Sequence, residues 1–113
     1  MKILITGGSG LLGQFLNLQL AKNNKILTFY NSQIGNCKYF NSAKVDITNH
    51  EKLKEIFSSF KPEVVIHTAA VSNQNIASKL SSKKVYSINV NATKNIAELC
   101  EIYNSKLIYT SLI

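Results

Sequence analysis

The residues best suited to chemistry are four glycines near the N-terminus, in the segment TGGSGLLG at residues 6–13. They fit the spacing GxGxxG through Gly8, Gly10 and Gly13, and equally GxxGxxG through Gly7, Gly10 and Gly13. In such turns glycine allows a tight bend, a close approach of the backbone to a pyrophosphate and close packing of the next helix. The helix then presents its free N–H groups to the phosphates. The motif therefore predicts dinucleotide binding.

The segments around this turn are those that such a motif requires. Strand patterns occupy residues 3–6, 26–30, 43–45, 64–67 and 107–110. Between the first two strands, Leu12, Phe15, Leu16 and Leu20 recur at helical spacing. This alternation predicts an α/β fold, with a doubly wound parallel sheet of about five strands in the order 3-2-1-4-5.

Two further helices complete the alternation. Thr48 and Glu51 form a capping-box pattern, which predicts that a helix begins after Thr48. Its apolar face follows at Leu53, Ile56, Phe57 and Phe60. A longer helical face is formed by Val85, Ile88, Ala92, Ile96, Leu99 and Tyr103. Residues 31–42 and 68–82 are polar and irregular, which indicates loops.

Composition excludes several other classes of protein. The chain has 113 residues, which suits a single domain, and all 13 of its basic residues are lysines. Without arginine, its net charge of +7 does not predict specific nucleic-acid binding. No apolar run is long enough to cross a membrane, and no signal peptide is evident, so we expect a cytoplasmic protein. Cys37 and Cys100 have no metal-ligand spacing, and we expect neither a metal site nor a disulfide.

Several segments resemble the extended short-chain dehydrogenase/reductases, and most closely the dTDP-4-dehydrorhamnose reductase group. Besides the glycine turn, these are VDIT at residues 45–48, KPEVVIHTAA at 61–70 and NVNATKN at 89–95. The resemblance covers nearly the whole chain and implies a Rossmann-type NAD(P)-binding domain over residues 1–113. It also implies that Asp46 contacts the adenine, that residues 68–70 line the cofactor and that Asn89 is the asparagine of the family's central helix.

The motif and the resemblance together give a set of candidate cofactor-binding residues: Gly7, Gly10, Leu11, Leu12, Gly13, Asn31, Ser32, Asp46, Ile47, Thr68, Ala69, Ala70 and Asn89. Asn31 and Ser32 follow the second strand, where NAD-binding folds often carry an acidic residue for the ribose 2′-OH. Because no acid stands there, NADP(H) is favoured over NAD(H).

The resemblance also predicts which chemistry this chain lacks. The family has a catalytic Thr after the fifth strand, whereas Leu112 occupies that position and cannot donate a hydrogen bond. The family's Tyr-x-x-x-Lys pair is absent, because none of the five tyrosines precedes a lysine by four positions. We therefore expect the N-terminal part of a reductase, truncated after the fifth strand, inactive alone and without catalytic residues of its own.

Two other functions remain open at this stage: a half-enzyme completed by a second chain, and a non-catalytic nucleotide-binding or interaction module. A nucleotide sugar would bind only if missing residues or a second chain completed the site. The apolar fifth strand, Leu107 to Tyr109, would form an uncovered edge, which predicts self-association. His67 ends an apolar strand, and we interpret it as a structural histidine bonded to backbone rather than as an acid-base group.

Overall fold

The structure, a computed structural model, describes residues 1–68 and 82–110. Within them, parallel strands form one sheet in the order β3-β2-β1-β4-β5, which confirms the predicted Rossmann-type order. The strands are β1 (Lys2–Thr6), β2 (Lys25–Tyr30), β3 (Ser42–Lys44), β4 (Val64–His67) and β5 (Lys106–Tyr109). The sequence-based bounds were correct to within one residue at each end.

Helices cover both faces of this sheet: α1 (Leu11–Leu20), α2 (His50–Phe60) and α3 (Ser82–Ile102), with a 3-10 helix at Gly35–Tyr39. Successive strand residues point to opposite faces, so β1 contributes to two apolar clusters. Leu4 belongs to the cluster that includes residues of α2 and α3, whereas Ile3 and Ile5 belong to the one against which α1 packs. Both faces of the strand are therefore buried, as expected for a parallel sheet.

The predicted apolar face of α2 is confirmed, since Leu53, Ile56, Phe57 and Phe60 are all buried. Its predicted cap is wrong by one residue: Asn49 is the N-cap, and its side chain accepts a hydrogen bond from the Lys52 amide at 3.1 Å. The Thr48 hydroxyl donates to Asp46 instead, at 2.7 Å, because the turn after β3 brings that carboxylate closer.

The buried face of α1 differs from the expected one. Phe15 is 58% exposed, whereas Gly13 and Asn17 are buried. Gly13 packs against the glycine turn, and this contact fixes the rotation of the helix about its axis. Positions four residues from Gly13 then also face inward, which places Asn17 rather than Phe15 in the interior.

Candidate dinucleotide-binding site

The candidate residues lie at the carboxyl ends of the strands, where open α/β sheets bind their ligands. Gly7 follows β1, Asn31 follows β2 and Thr68 follows β4. Asp46 lies just beyond β3, two residues past Lys44. The fold therefore brings four separate segments of the sequence to one edge of the sheet. Ala69 and Ala70 lie outside the described residues.

Three glycines of the turn are required by the protein's own packing. Gly7 has φ = 66°, a left-handed conformation that glycine adopts without strain. A Cβ on Gly8 would overlap the Thr28 side chain, and a Cβ on Gly13 would overlap the Gly7 carbonyl and lie 2.7 Å from the Gly8 Cα. These positions hold the helix and the turn together, whether or not a ligand binds.

Gly10 is different, because the fold does not require its missing side chain. Its φ is −75°, and an added Cβ would meet only the Gly7 carbonyl oxygen, at 3.3 Å. Gly10 is the N-cap of α1, and no side chain of residues 1–68 and 82–110 caps that helix end. In the part of the chain that the structure describes, the first-turn amides of Leu11, Leu12 and Gly13 have no acceptor. This surface is open to a ligand that accepts hydrogen bonds.

A group of amide side chains forms hydrogen bonds with the backbone of the glycine turn. The sequence alone did not predict this group. We call Gln14, Asn17 and Asn36 the amide clip. Asn17 Nδ2 donates to the Gly8 carbonyl at 3.0 Å and to Asn36 Oδ1 at 2.9 Å. Gln14 Nε2 donates to the Ser9 carbonyl at 3.1 Å. The signal in the sequence was Asn17 itself, four residues after Gly13 on the face that Gly13 turns inward.

Asn36 links this helix to the connection between β2 and β3. Its backbone amide donates to Gln14 Oε1, and its Nδ2 donates to the Gln14 carbonyl, both at 3.0 Å. Beside it, the Cys37 side chain is fully buried, with Sγ 3.7 Å from Asn17 Nδ2. The loop after β2 is therefore anchored to α1 and, through Gln14 and Asn17, to the glycine turn.

The predicted residues on the adenosine side are accessible. Asn31 and Ser32 are exposed beyond the end of β2. Asp46 is also exposed, and its Oδ1 accepts hydrogen bonds from the Thr48 amide at 2.9 Å and from the Thr48 hydroxyl. Ile47, next to it, is half-buried. Asp46 thus has a defined orientation in a turn, with its carboxylate at the surface.

At the end of β4, Thr68 and His67 tie the central strands to α3. The Thr68 amide donates to Thr6 Oγ1 at 3.0 Å, and its hydroxyl donates to the Thr6 carbonyl. His67 is buried, with Nδ1 2.7 Å from Thr6 Oγ1 and Nε2 3.1 Å from Thr93 Oγ1. Its side-chain partners are thus threonine hydroxyls, whereas the sequence had suggested bonds to backbone groups. Burial lowers the pKa of His67 to about 4, so it is neutral at pH 7.

Asn89 lies on α3. It lines an open cavity of about 470 Å³ together with Tyr86, Val90, Thr93, Lys94 and Tyr109. The structure therefore places Asn89 beside Tyr109, at the end of β5.

The described residues provide no support for two other kinds of site. Across 1–68 and 82–110, no three His, Cys, Asp or Glu side chains cluster as metal ligands would, and both cysteines are unpaired. Cys100 is a core residue, and burial raises its pKa to about 11. No helix in this part of the chain is long and apolar enough to cross a membrane.

The parallel sheet with its order 3-2-1-4-5 and the glycine turn after β1 define a Rossmann-type α/β fold. The chain belongs to the RmlD substrate binding domain family, whose model matches residues 1–112. This match confirms the resemblance to the dTDP-4-dehydrorhamnose reductase group.

Three similar proteins illustrate the relationship. The chain is 31% identical to a dTDP-4-dehydrorhamnose reductase of Aggregatibacter actinomycetemcomitans, over 97% of this chain and 34% of the relative. It is 36% identical to a dTDP-D-glucose 4,6-dehydratase of Dictyostelium discoideum, over 97% of this chain and 28% of the relative. The crystal structure of the Bordetella bronchiseptica enzyme WbmG in complex with NAD superposes with a TM-score of 0.78 at 25% identity. That superposition covers 96% of this chain and 36% of WbmG. The chain thus spans about a third of the length of these relatives.

Proposed function

We propose that this chain binds NAD(P)(H) as the N-terminal part of a nucleotide-sugar oxidoreductase similar to the dTDP-4-dehydrorhamnose reductases. The observation that carries the proposal is Gly10, whose missing side chain leaves space that the protein does not fill. A pyrophosphate placed there would accept hydrogen bonds from the amides of the first turn of α1 and would benefit from its positive dipole end. The family match and the NAD complex of WbmG support the same ligand.

Each candidate residue has a role in this proposal. Gly7 and Gly13 shape the turn, and the segment from Gly10 to Gly13 receives the pyrophosphate. Asn31 and Ser32 face the adenosine ribose, and Asp46 with Ile47 contacts the adenine. The nicotinamide side is lined by Thr68, Ala69, Ala70 and Asn89. A dinucleotide bound there supplies or accepts a hydride.

A titration of the 113-residue chain with NADPH and NADH, followed by thermal unfolding at near-physiological salt, tests this proposal. A ligand at a hundred times its Kd stabilises the protein by about 2.7 kcal/mol, which raises the melting temperature by several degrees. We expect that rise with NADPH. A chain that melts cooperatively and responds to neither cofactor would contradict the proposal and leave a non-catalytic interaction module.

We also propose a preference for NADP(H). The exposed residues after β2 are Asn31 and Ser32, where NAD-binding folds often have an acidic residue that binds the ribose 2′-OH. Asn31→Asp should weaken this preference, since a carboxylate accepts a hydrogen bond from the ribose 2′-OH and repels a 2′-phosphate. We expect the ratio of NADPH to NADH affinity to fall by about tenfold. Asn41→Asp adds the same charge at the far end of the same connection and should leave the ratio unchanged. Equal ratios for both variants would rule out Asn31 as the determinant.

The β5 edge of the sheet favours a second candidate function. In it, the chain is a half-enzyme that another chain or a second copy completes. Among the described strands, β5 has a neighbour on one side only, and Ile108 is 42% exposed on it. Unpaired apolar edges associate with other strands. We expect the 113-residue chain to dimerise with rising concentration in sedimentation velocity, and Ile108→Lys to keep it monomeric. A wild-type chain that stays monomeric and clear at high concentration would exclude self-association through β5.

We further propose a cytoplasmic location and no catalysis by these 113 residues alone. The location is supported by two unpaired, buried cysteines, because secreted proteins usually pair theirs. The absence of activity is supported by the missing Tyr-x-x-x-Lys pair.

A further inference from the structure

The side chains of the amide clip bond two successive carbonyls of the glycine turn, those of Gly8 and Ser9. These bonds fix the direction of the amide between the two carbonyls, the N–H of Ser9. The Gly8 carbonyl is turned toward Asn17, in the interior of the domain. The peptide bond from Gly8 to Ser9 is planar, and the described chain contains no cis peptide bond. In a trans peptide the N–H points away from the C=O. The Ser9 N–H must therefore point away from Asn17, toward the outside of the turn.

The neighbouring amides of the turn are already occupied. Gly8 N–H donates to the Phe29 carbonyl at 2.7 Å, and Gly10 N–H donates to the Gly7 carbonyl at 3.0 Å. Ser9 N–H has no acceptor within the described residues. It is thus an amide between β1 and α1 that points away from the interior and is available to an anion.

Asn17 is a polar residue in the interior of the domain, which indicates a role beyond packing. Its side chain is completely buried where α1 meets the glycine turn and the 3-10 helix, and its Oδ1 has no hydrogen-bond partner among the described residues. An unpaired polar atom in the interior is unfavourable, and an apolar residue of the same size avoids that cost. What Asn17 provides in return is its Nδ2, which bonds the Gly8 carbonyl and Asn36.

We propose that Asn36 is a positioning residue for the pyrophosphate, acting through Asn17 and Gln14 on the Ser9 amide. Its side chain accepts from Asn17 and donates to the Gln14 carbonyl, while its backbone amide bonds the Gln14 side chain. Asn36 lies in the connection after β2, which carries the adenosine-side residues Asn31 and Ser32. It therefore links the adenosine and phosphate parts of the cofactor site. This inference rests on the proposed function.

Asn36→Ala tests the proposal, because Asn36 is only half-buried and the variant keeps its backbone bond to Gln14. We expect NADPH affinity to fall about fivefold, the effect of one weakened hydrogen bond, with little change in the melting temperature of the free protein. In a ¹⁵N NMR titration, NADPH should shift the Ser9 amide strongly in the wild type and less in the variant.

Asn41→Ala is the matched control, since Asn41 Nδ2 bonds the Ile26 carbonyl at 3.3 Å in the same connection but away from the turn. Its NADPH affinity should equal that of the wild type. If Asn36→Ala fails to fold, Asn17→Leu provides the same test and should weaken NADPH binding at least tenfold. Unchanged affinity in the folded variant, equal losses in Asn36→Ala and Asn41→Ala, or an unshifted Ser9 amide in the wild type would overturn the proposal. A wild type that binds neither cofactor would instead contradict the proposed function itself.

Discussion

Replacement of Gly13 by alanine is expected to lower the free energy of unfolding by about 3 kcal/mol or more, in the range of severe overpacking. The added Cβ would overlap the Gly7 carbonyl and lie 2.7 Å from the Gly8 Cα. Both neighbours are backbone atoms of a turn that is fixed by its bond to Phe29, so neither can move aside as a side chain would. Urea unfolding of Gly13→Ala beside the wild type measures the loss.

Gly10→Ala is the control for this prediction, because it adds the same methyl group three residues earlier. Its Cβ meets one atom, the Gly7 carbonyl oxygen at 3.3 Å, and its φ of −75° suits any residue. Alanine is a poorer N-cap than glycine, so we expect a loss of at most about 1 kcal/mol. If the two variants were equally stable, the conclusion that α1 packs closely on the turn at Gly13 would be wrong.

Acidification from pH 7 to pH 5 is expected to remove about 2 kcal/mol of stability through His67 alone. Burial lowers its pKa to about 4 in the folded protein, from 6.5 for the free side chain. Between these values the unfolded chain binds a proton that the folded protein does not. His67 therefore leaves stability intact above pH 6.5 and reduces it as pH falls toward 4. Urea unfolding as a function of pH measures this slope.

His67→Gln should flatten this part of the pH profile, because glutamine does not titrate. His50→Gln is the matched control at the other histidine and should leave the dependence on His67 in place. A wild-type protein whose stability is constant between pH 7 and pH 5 would show that His67 is accessible to protons, contrary to its burial between Thr6 and Thr93.

The strands and their order in the sheet could be predicted because the sequence patterns that indicate them are local. Apolar runs bounded by turn residues set the strands to within a residue, and the glycine motif identified the turn after β1. The face of α2 followed from spacing alone, since Leu53, Ile56, Phe57 and Phe60 need only face a common core. Alternation of strands and helices then left few topologies to consider.

What sequence alone did not provide were contacts between side chains distant in the chain. Asn17 and Asn36 are 19 residues apart, and the hydrogen bond between them depends on how the β2–β3 connection folds back on α1. The threonine partners of His67 lie on β1 and α3, 61 and 26 residues away. The rotation of α1 was also missed, because the apolar spacing of Leu12 and Phe15 matched a helix whose inward face is set by Gly13.

Calorimetric titration of NADPH into the wild type and Gly10→Val tests the central claim most directly. The valine side chain would occupy the space proposed for the pyrophosphate, while the fold around Gly10 leaves room for its Cβ. We predict that the wild type binds NADPH and that the variant binds at least about a hundredfold more weakly, with a cooperative melting transition retained. Equal NADPH affinity in a folded Gly10→Val would contradict the account, because the pyrophosphate would then not lie at the start of α1.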